Sequence, residues 1–191
     1  MKRSSLPFYI TAAILVFFYL PLVIVFIQSF NASRFGGTWQ GFTLDWYAKL
    51  FADRNIWHAI SNTLIIASAS TIISIIIGSM AAYALYRYKT RLQVGHNILI
   101  YFPLVIPDIL MGISLLLFFV SLKIQLGLIT IFLAHSTFCI SYVAMVVLGR
   151  FQDFDYTIIE AALDLGATWS AAVRKILIPF LAPGIAAGGL L

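Results

Sequence analysis

Long uninterrupted apolar runs dominate the chain. Four of them, at about 8–30, 63–85, 98–122 and 126–148, are long enough to cross a bilayer. A hydrocarbon core of about 30 Å takes roughly 20 apolar residues in a helix. In lipid only a helix, or a closed barrel, satisfies every backbone hydrogen bond. The pattern therefore predicts an all-α, polytopic membrane helical bundle. The first run is too long for a signal-peptide core and has no small-residue cleavage site after it, so it reads as an uncleaved anchor. A fifth run begins at Pro179 and has 13 residues, ending at Leu191. A carboxylate left inside the bilayer there leads us to expect a chain truncated within its fifth span.

Composition agrees with this reading. The chain is 62% hydrophobic and 10% charged, with a mean hydropathy of +1.00. Soluble domains have about 45–50% apolar and about 25% charged residues. The net charge of +5 would suggest a polyanionic partner in a soluble chain, but here the basic residues sit in the gaps between apolar runs. Lys2, Arg3, Arg87, Lys89, Arg91, Arg150, Arg174 and Lys175 fall on one side if the spans alternate, and Arg34, Lys49, Arg54 and Lys123 on the other. The excess predicts a cytoplasmic N-terminus. A single cysteine, Cys139, excludes a disulfide framework or a cysteine-based metal site. His58, His96 and His135 are scattered, so neither a metal site nor a catalytic dyad is expected.

The segment 31–60 is the longest outer connection and holds Trp39, Trp46, Tyr47 and Trp57 beside Asp45 and Asp53. Such aromatics form an interfacial belt at headgroup level or line an entrance for a cation, which an indole face attracts by about 0.5–2 kcal/mol. Asn31, Gly36, Gly37 and Gly41 predict turns ahead of a short helix at about 44–51.

Asp108 is the one carboxylate within an expected span, where an ionised group costs about 2.5–3.5 kcal/mol. At 11 residues from Asn97, a straight helix places it about 16 Å deep, near the midplane. Pro103 and Pro107 predict a kink or break just before it, an arrangement that exposes polar groups to a transport pathway. Capping of a helix restarting after Pro107 is the alternative role, and both can coexist.

Between Arg150 and Pro179 the pattern turns amphipathic, as expected of a docking element. Thr157 and Glu160 have capping-box spacing. Ile158, Ala161, Ala162 and Leu165 share one helical face, with Glu160 and Asp164 on another. Gly166 suits a left-handed helix terminus. A second short helix from about Thr168 leads to helix-restricting Pro179.

The stretch EAALDLGATWSAAVRKILIP resembles the cytoplasmic loop signature of binding-protein-dependent ABC importer permeases. Glu160, Ala161, Ala162, Gly166, Ile176 and Pro179 match it, and Ile178 stands where leucine is usual. The resemblance implies a helix that fits a groove on a separate ATPase subunit. The chain contains no Walker-type glycine-lysine loop, so no enzymatic activity is expected here and ATP hydrolysis is assigned to another polypeptide.

SFNASRFGGTWQGFTLDWY, ALYRY, PDILMGISLL and IQLG are similar to segments of the C-type permeases of spermidine/putrescine importers. That likeness implies an N-terminal anchor and outer loop over 1–59 and a type-1 permease domain over 60–191, C-terminally incomplete. It implies Asp108 and Trp46 as pathway residues, with a carboxylate and an aromatic face for ammonium groups. It also implies a second permease as heterodimer partner, two ATPase subunits, an extracytoplasmic polyamine-binding protein and residence in the bacterial inner membrane, with no cofactor and no nucleic acid. An importer of the same architecture for iron or another small organic cation is the nearest alternative. An intramembrane enzyme is the distant one, and Asp108 lacks the intramembrane partner it would need.

Overall fold

The computed structural model describes residues 6–88 and 91–191. Lys2, Arg3 and Lys89, used above for topology, lie outside the described residues. Among the described residues the chain is helical, with one isolated antiparallel bridge between Asn31 and Phe42. Four helices among the described residues are long and apolar enough to cross a membrane: Leu6–Gln28, Arg54–Arg87, Leu128–Phe151 and Trp169–Leu190. A bent pair, Gln93–Val105 with Asp108–Ser121, makes a fifth if counted as one span. The chain forms two compact units, Met1–Ile60 and Ser61–Leu191.

In the first unit, α1 (Leu6–Gln28) buries none of its residues. A helix of this length, apolar on every side, is suited to cross a membrane. After it, the chain folds around Asn31, which is fully buried. The Asn31 side-chain amide donates to Gln28 Oε1 at 2.8 Å and to the Thr38 carbonyl at 2.9 Å. Its carbonyl oxygen accepts from the backbone N–H groups of Ser33 and Gln40 at 3.1 and 2.9 Å. With no strand available, this one side chain satisfies the backbone of a tight loop. Gly36, Gly37 and Gly41 supply its left-handed positions. The short helix α2 (Asp45–Ala52) follows, one residue from the expected start.

In the second unit α6 (Leu128–Phe151) is central, with α4 (Gln93–Val105) and α9 (Ile178–Leu190) packed on it. The helix α3 (Arg54–Arg87) buries Ser70, Ser74, Gly78 and Ala82, one residue per turn along one stripe. A Cβ at Gly78 would stand 2.8 Å from Val143 Cβ and 2.9 Å from the Ile140 carbonyl. Such close approach is what small residues contribute between membrane helices, where lipid supplies no hydrophobic drive. On α9, Gly184 and Gly188 lie against Arg150 and Val143 in the same way. The core joins Ala82, Val143, Val147, Phe151, Phe154, Ile159, Leu177 and Leu181.

The expected interruption of the third span is present, and it is sharper than a kink. The helix α4 ends at Val105, Ile106 and Pro107 are extended, and α5 (Asp108–Ser121) departs at 110°. Pro107 disfavours helix at Ile106 and has no N–H to continue α4. The straight-helix depth assigned to Asp108 therefore does not apply.

The fifth span also differs. It does not begin at Pro179: α8 (Trp169–Ala172) continues through a π-helical turn, Val173–Leu177, into α9, giving one helix of 22 residues, Trp169–Leu190. In that turn the Ile178 N–H donates to the Val173 carbonyl, five residues back. A wider turn relieves the clash between the Pro179 ring and the carbonyl four residues earlier, so the proline is carried inside the helix.

Candidate functional site

Asp108 is the first residue of α5, and the helix is capped by Pro107, not by the Asp108 side chain. The Leu110 and Met111 N–H groups both donate to the Pro107 carbonyl. The Asp108 carboxylate is exposed and makes no hydrogen bond or ion pair among the described residues. It opens onto a cavity of about 400 Å³ lined also by Met111, Gly112, Leu115, Ala134, His135 and Phe138. Apart from Asp108 and His135 this lining is almost wholly apolar. An anionic charge at a helix start is favoured by the backbone dipole, and its free lone pairs can accept from an ammonium group.

His135 is the residue that sequence reasoning passed over. It was grouped with two other histidines as scattered, yet α6 brings it to the same cavity wall as Asp108. No spacing in the sequence pairs them: Asp108 opens α5 at the end away from the turn at 122–127, and His135 lies inside α6. Among the described residues no three His, Cys, Asp or Glu side chains are placed to hold a metal ion.

Trp46 belongs to the first unit. Its indole N–H donates to the Asn31 carbonyl at 2.9 Å, which orients the ring. One face is covered by the Lys49 ammonium, 4.6 Å from the ring centroid. The indole thus already holds a cation of its own chain at the distance cation–π contact requires.

The amphipathic segment forms α7 (Thr157–Asp164), and its start differs from the expected capping box. Asp155 takes the capping role, its carboxylate accepting from the Thr157 N–H at 3.0 Å. This bond and the Thr157 hydroxyl hold the Asp155 carboxyl below its ordinary range. Thr157 is already inside the helix, where its N–H is the group being capped. At the other end the Gly166 N–H donates to the Leu163 carbonyl and the Ala167 N–H to Ala162. With Gly166 at φ +86°, this is the left-handed terminus expected, a Schellman motif. The Thr168 hydroxyl caps α8, accepting from the Ala171 N–H.

The face of α7 that packs inward is centred on Ile159, 0% exposed, with Ala162 half-buried. Ile158 and Leu165 remain 49% and 89% exposed, and Glu160, Ala161 and Asp164 are exposed too. The apolar set read from the sequence is therefore mostly outward. Ile176 is half-buried in the π-helical turn, and Pro179 is exposed in α9.

Residues 74–191 match the family described as binding-protein-dependent transport system inner membrane component. Over 179 residues the chain is 41% identical to the spermidine/putrescine transport system permease protein PotC of Escherichia coli (strain K12), covering 94% of this chain and 68% of that protein. PotC of Haemophilus influenzae is 36% identical over 191 residues, 100% of this chain and 74% of that one. The putrescine transport system permease protein PotI of Escherichia coli (strain K12) is 39% identical over 182 residues, 92% of this chain and 65% of its own length.

Proposed function

The chain belongs to the binding-protein-dependent transport system inner membrane components, multi-pass ABC permeases that are transport subunits and not enzymes, and from this we propose that it is a permease subunit of an ATP-driven polyamine importer. The substrate class rests on one observation above all: an exposed carboxylate, Asp108, with no partner among the described residues, at a helix break in a cavity that is mostly apolar apart from Asp108 and His135. Such a group repels anions and selects cations, and the polyamine names of the similar permeases agree with a polycation. Trp46 offers the cation an aromatic face, with Lys49 displaced from the indole as the substrate's ammonium arrives.

The outward face of α7, with Glu160 and Ala161, flanked by half-buried Ala162 and the turn at Gly166, docks into a groove of a separate ATPase by helix-in-groove packing. Ile176 and Pro179, within the long helix that follows, relay that contact toward the bilayer. The partners are a second permease, two ATPase subunits and an extracytoplasmic polyamine-binding protein, with the N-terminus in the cytoplasm.

Radiolabelled spermidine and putrescine uptake in a deletion strain tests the reading. Complementation with full-length protein should restore uptake, and Asp108→Asn should raise the half-saturating concentration about tenfold, the effect of about 1.4 kcal/mol. Uptake at unaltered apparent affinity in Asp108→Asn would remove Asp108 from the pathway. Uptake of neither polyamine would remove the substrate class.

A further inference from the structure

The last turn of α3 is tied to the segment leading into α7 by contacts that docking does not require. The Tyr86 hydroxyl donates to the Phe154 carbonyl at 3.0 Å. The Tyr86 ring stacks on Phe151, with centroids 4.6 Å apart and planes 17° from parallel. The next residue, Arg87, holds its guanidinium 4.8 Å from the centroid of Tyr156, and α7 begins immediately after, at Thr157. Phe154 in turn meets Phe180 of α9 at 4.9 Å.

These contacts differ in what they transmit. Stacked rings slide over one another at little cost, whereas a hydrogen bond fixes both length and direction and weakens steeply when stretched. Its acceptor here is a backbone carbonyl, so the bond follows the position of the chain at Phe154 and not a side-chain rotamer. Phe154 is buried, and an acceptor buried without its donor is costly to leave. When α7 is displaced, α3 must either follow or lose this bond.

We propose that Tyr86 is a positioning residue for transport: its bond to the Phe154 carbonyl, backed by the Phe151 stack and by Arg87 over Tyr156, passes displacement of α7 to α3. The proposal rests on the reading of α7 as the docking helix. In that sense α3 is moved through its last turn, by a joint separate from the surface that touches the ATPase.

The test uses the full-length transporter with its partner permease, ATPases and binding protein, reconstituted in proteoliposomes. Tyr86→Phe keeps the ring and removes the hydroxyl. Subunit co-purification and ATP hydrolysis should stay within about twofold, while spermidine carried per ATP should fall about fivefold, the weight of one hydrogen bond. Arg87→Gln should lower the same ratio less. Spin labels at Ala84 and Asp164, placed in a Cys139→Ser background, give a readout independent of substrate. On ATP addition both labels should shift in the otherwise native chain, and only the Asp164 label in Tyr86→Phe. If both labels still shift in Tyr86→Phe, or if that variant fails to assemble, the positioning role is overturned. An immobile Asp164 label in the native chain sinks the docking reading instead, and absent polyamine uptake with normal label shifts sinks only the substrate.

Discussion

At the residue scale the polar side chains divide into those that organise the chain and those left free for a ligand. Asn31 spends its whole side-chain amide on the loop between α1 and α2, and Asp155 is committed to the start of α7. Because the Asp155 carboxyl is held below its ordinary range by the Thr157 N–H and hydroxyl, its contribution to that helix start is fully present above the ordinary aspartate value of about 3.9 and lost as pH falls through the lower folded value. Hydrogen-exchange protection of the Thr157 amide should be flat from neutral pH down to about 5 and decline only in stronger acid. In Asp155→Asn that acid step should vanish. A step near neutrality would mean another group caps α7. Asp108 was legible in the sequence because a carboxylate in an apolar run stands out on composition alone. His135 was not, since its place beside Asp108 depends on how two helices pair across a turn. The capping box was misplaced for a similar reason: spacing identifies a compatible pair, while Asp155, two residues before Thr157, had first access to the N–H.

At the element scale Pro107 and Pro179 marked departures from a straight α-helix but not their form. Pro107 announced an interruption, and its 110° bend follows from where α5 finds packing against α6. The π-helical turn at Val173–Leu177 had no sequence signal beyond Pro179 itself. Gly166 was the more readable case, because a left-handed terminus demands little besides glycine. A Cβ there would meet no atom within 4 Å, so the cost of Gly166→Ala is purely that of the positive φ. Thermal or denaturant unfolding in lipid or detergent should show a loss of about 1–2 kcal/mol, with Gly166→Asn losing less. Equal stability of all three would mean the helix ends in another way.

At the scale of the whole molecule, each unit is shaped by what it leaves uncovered. The first presents an apolar helix with no buried residue. The second closes on itself around α6 through a seam of small residues from α3 and α9. The seam makes a distinct prediction. Gly78→Ala places a methyl against a backbone carbonyl and a β-branched side chain, neither of which can rotate away, and should destabilise the second unit by about 1–3 kcal/mol in thermal unfolding. Gly95→Ala, where the space is open, is the control and should leave the melting point unmoved or raise it. The bundle class and span count were legible because lipid tolerates so few backbone solutions; the seam was not, because glycines at i and i+4 say nothing of which neighbour they meet.

The π-helical turn also works as a phase shifter. Each residue advances a helix by about 100°, and a π turn takes up about one residue more than an α turn, so tightening Val173–Leu177 to α geometry with no residue removed would swing the whole of α9 by about that angle. Gly184 and Gly188 would rotate off α6, and bulkier neighbours would rotate onto it. One residue of slack between α7 and α9 thus sets which side of α9 faces the bundle.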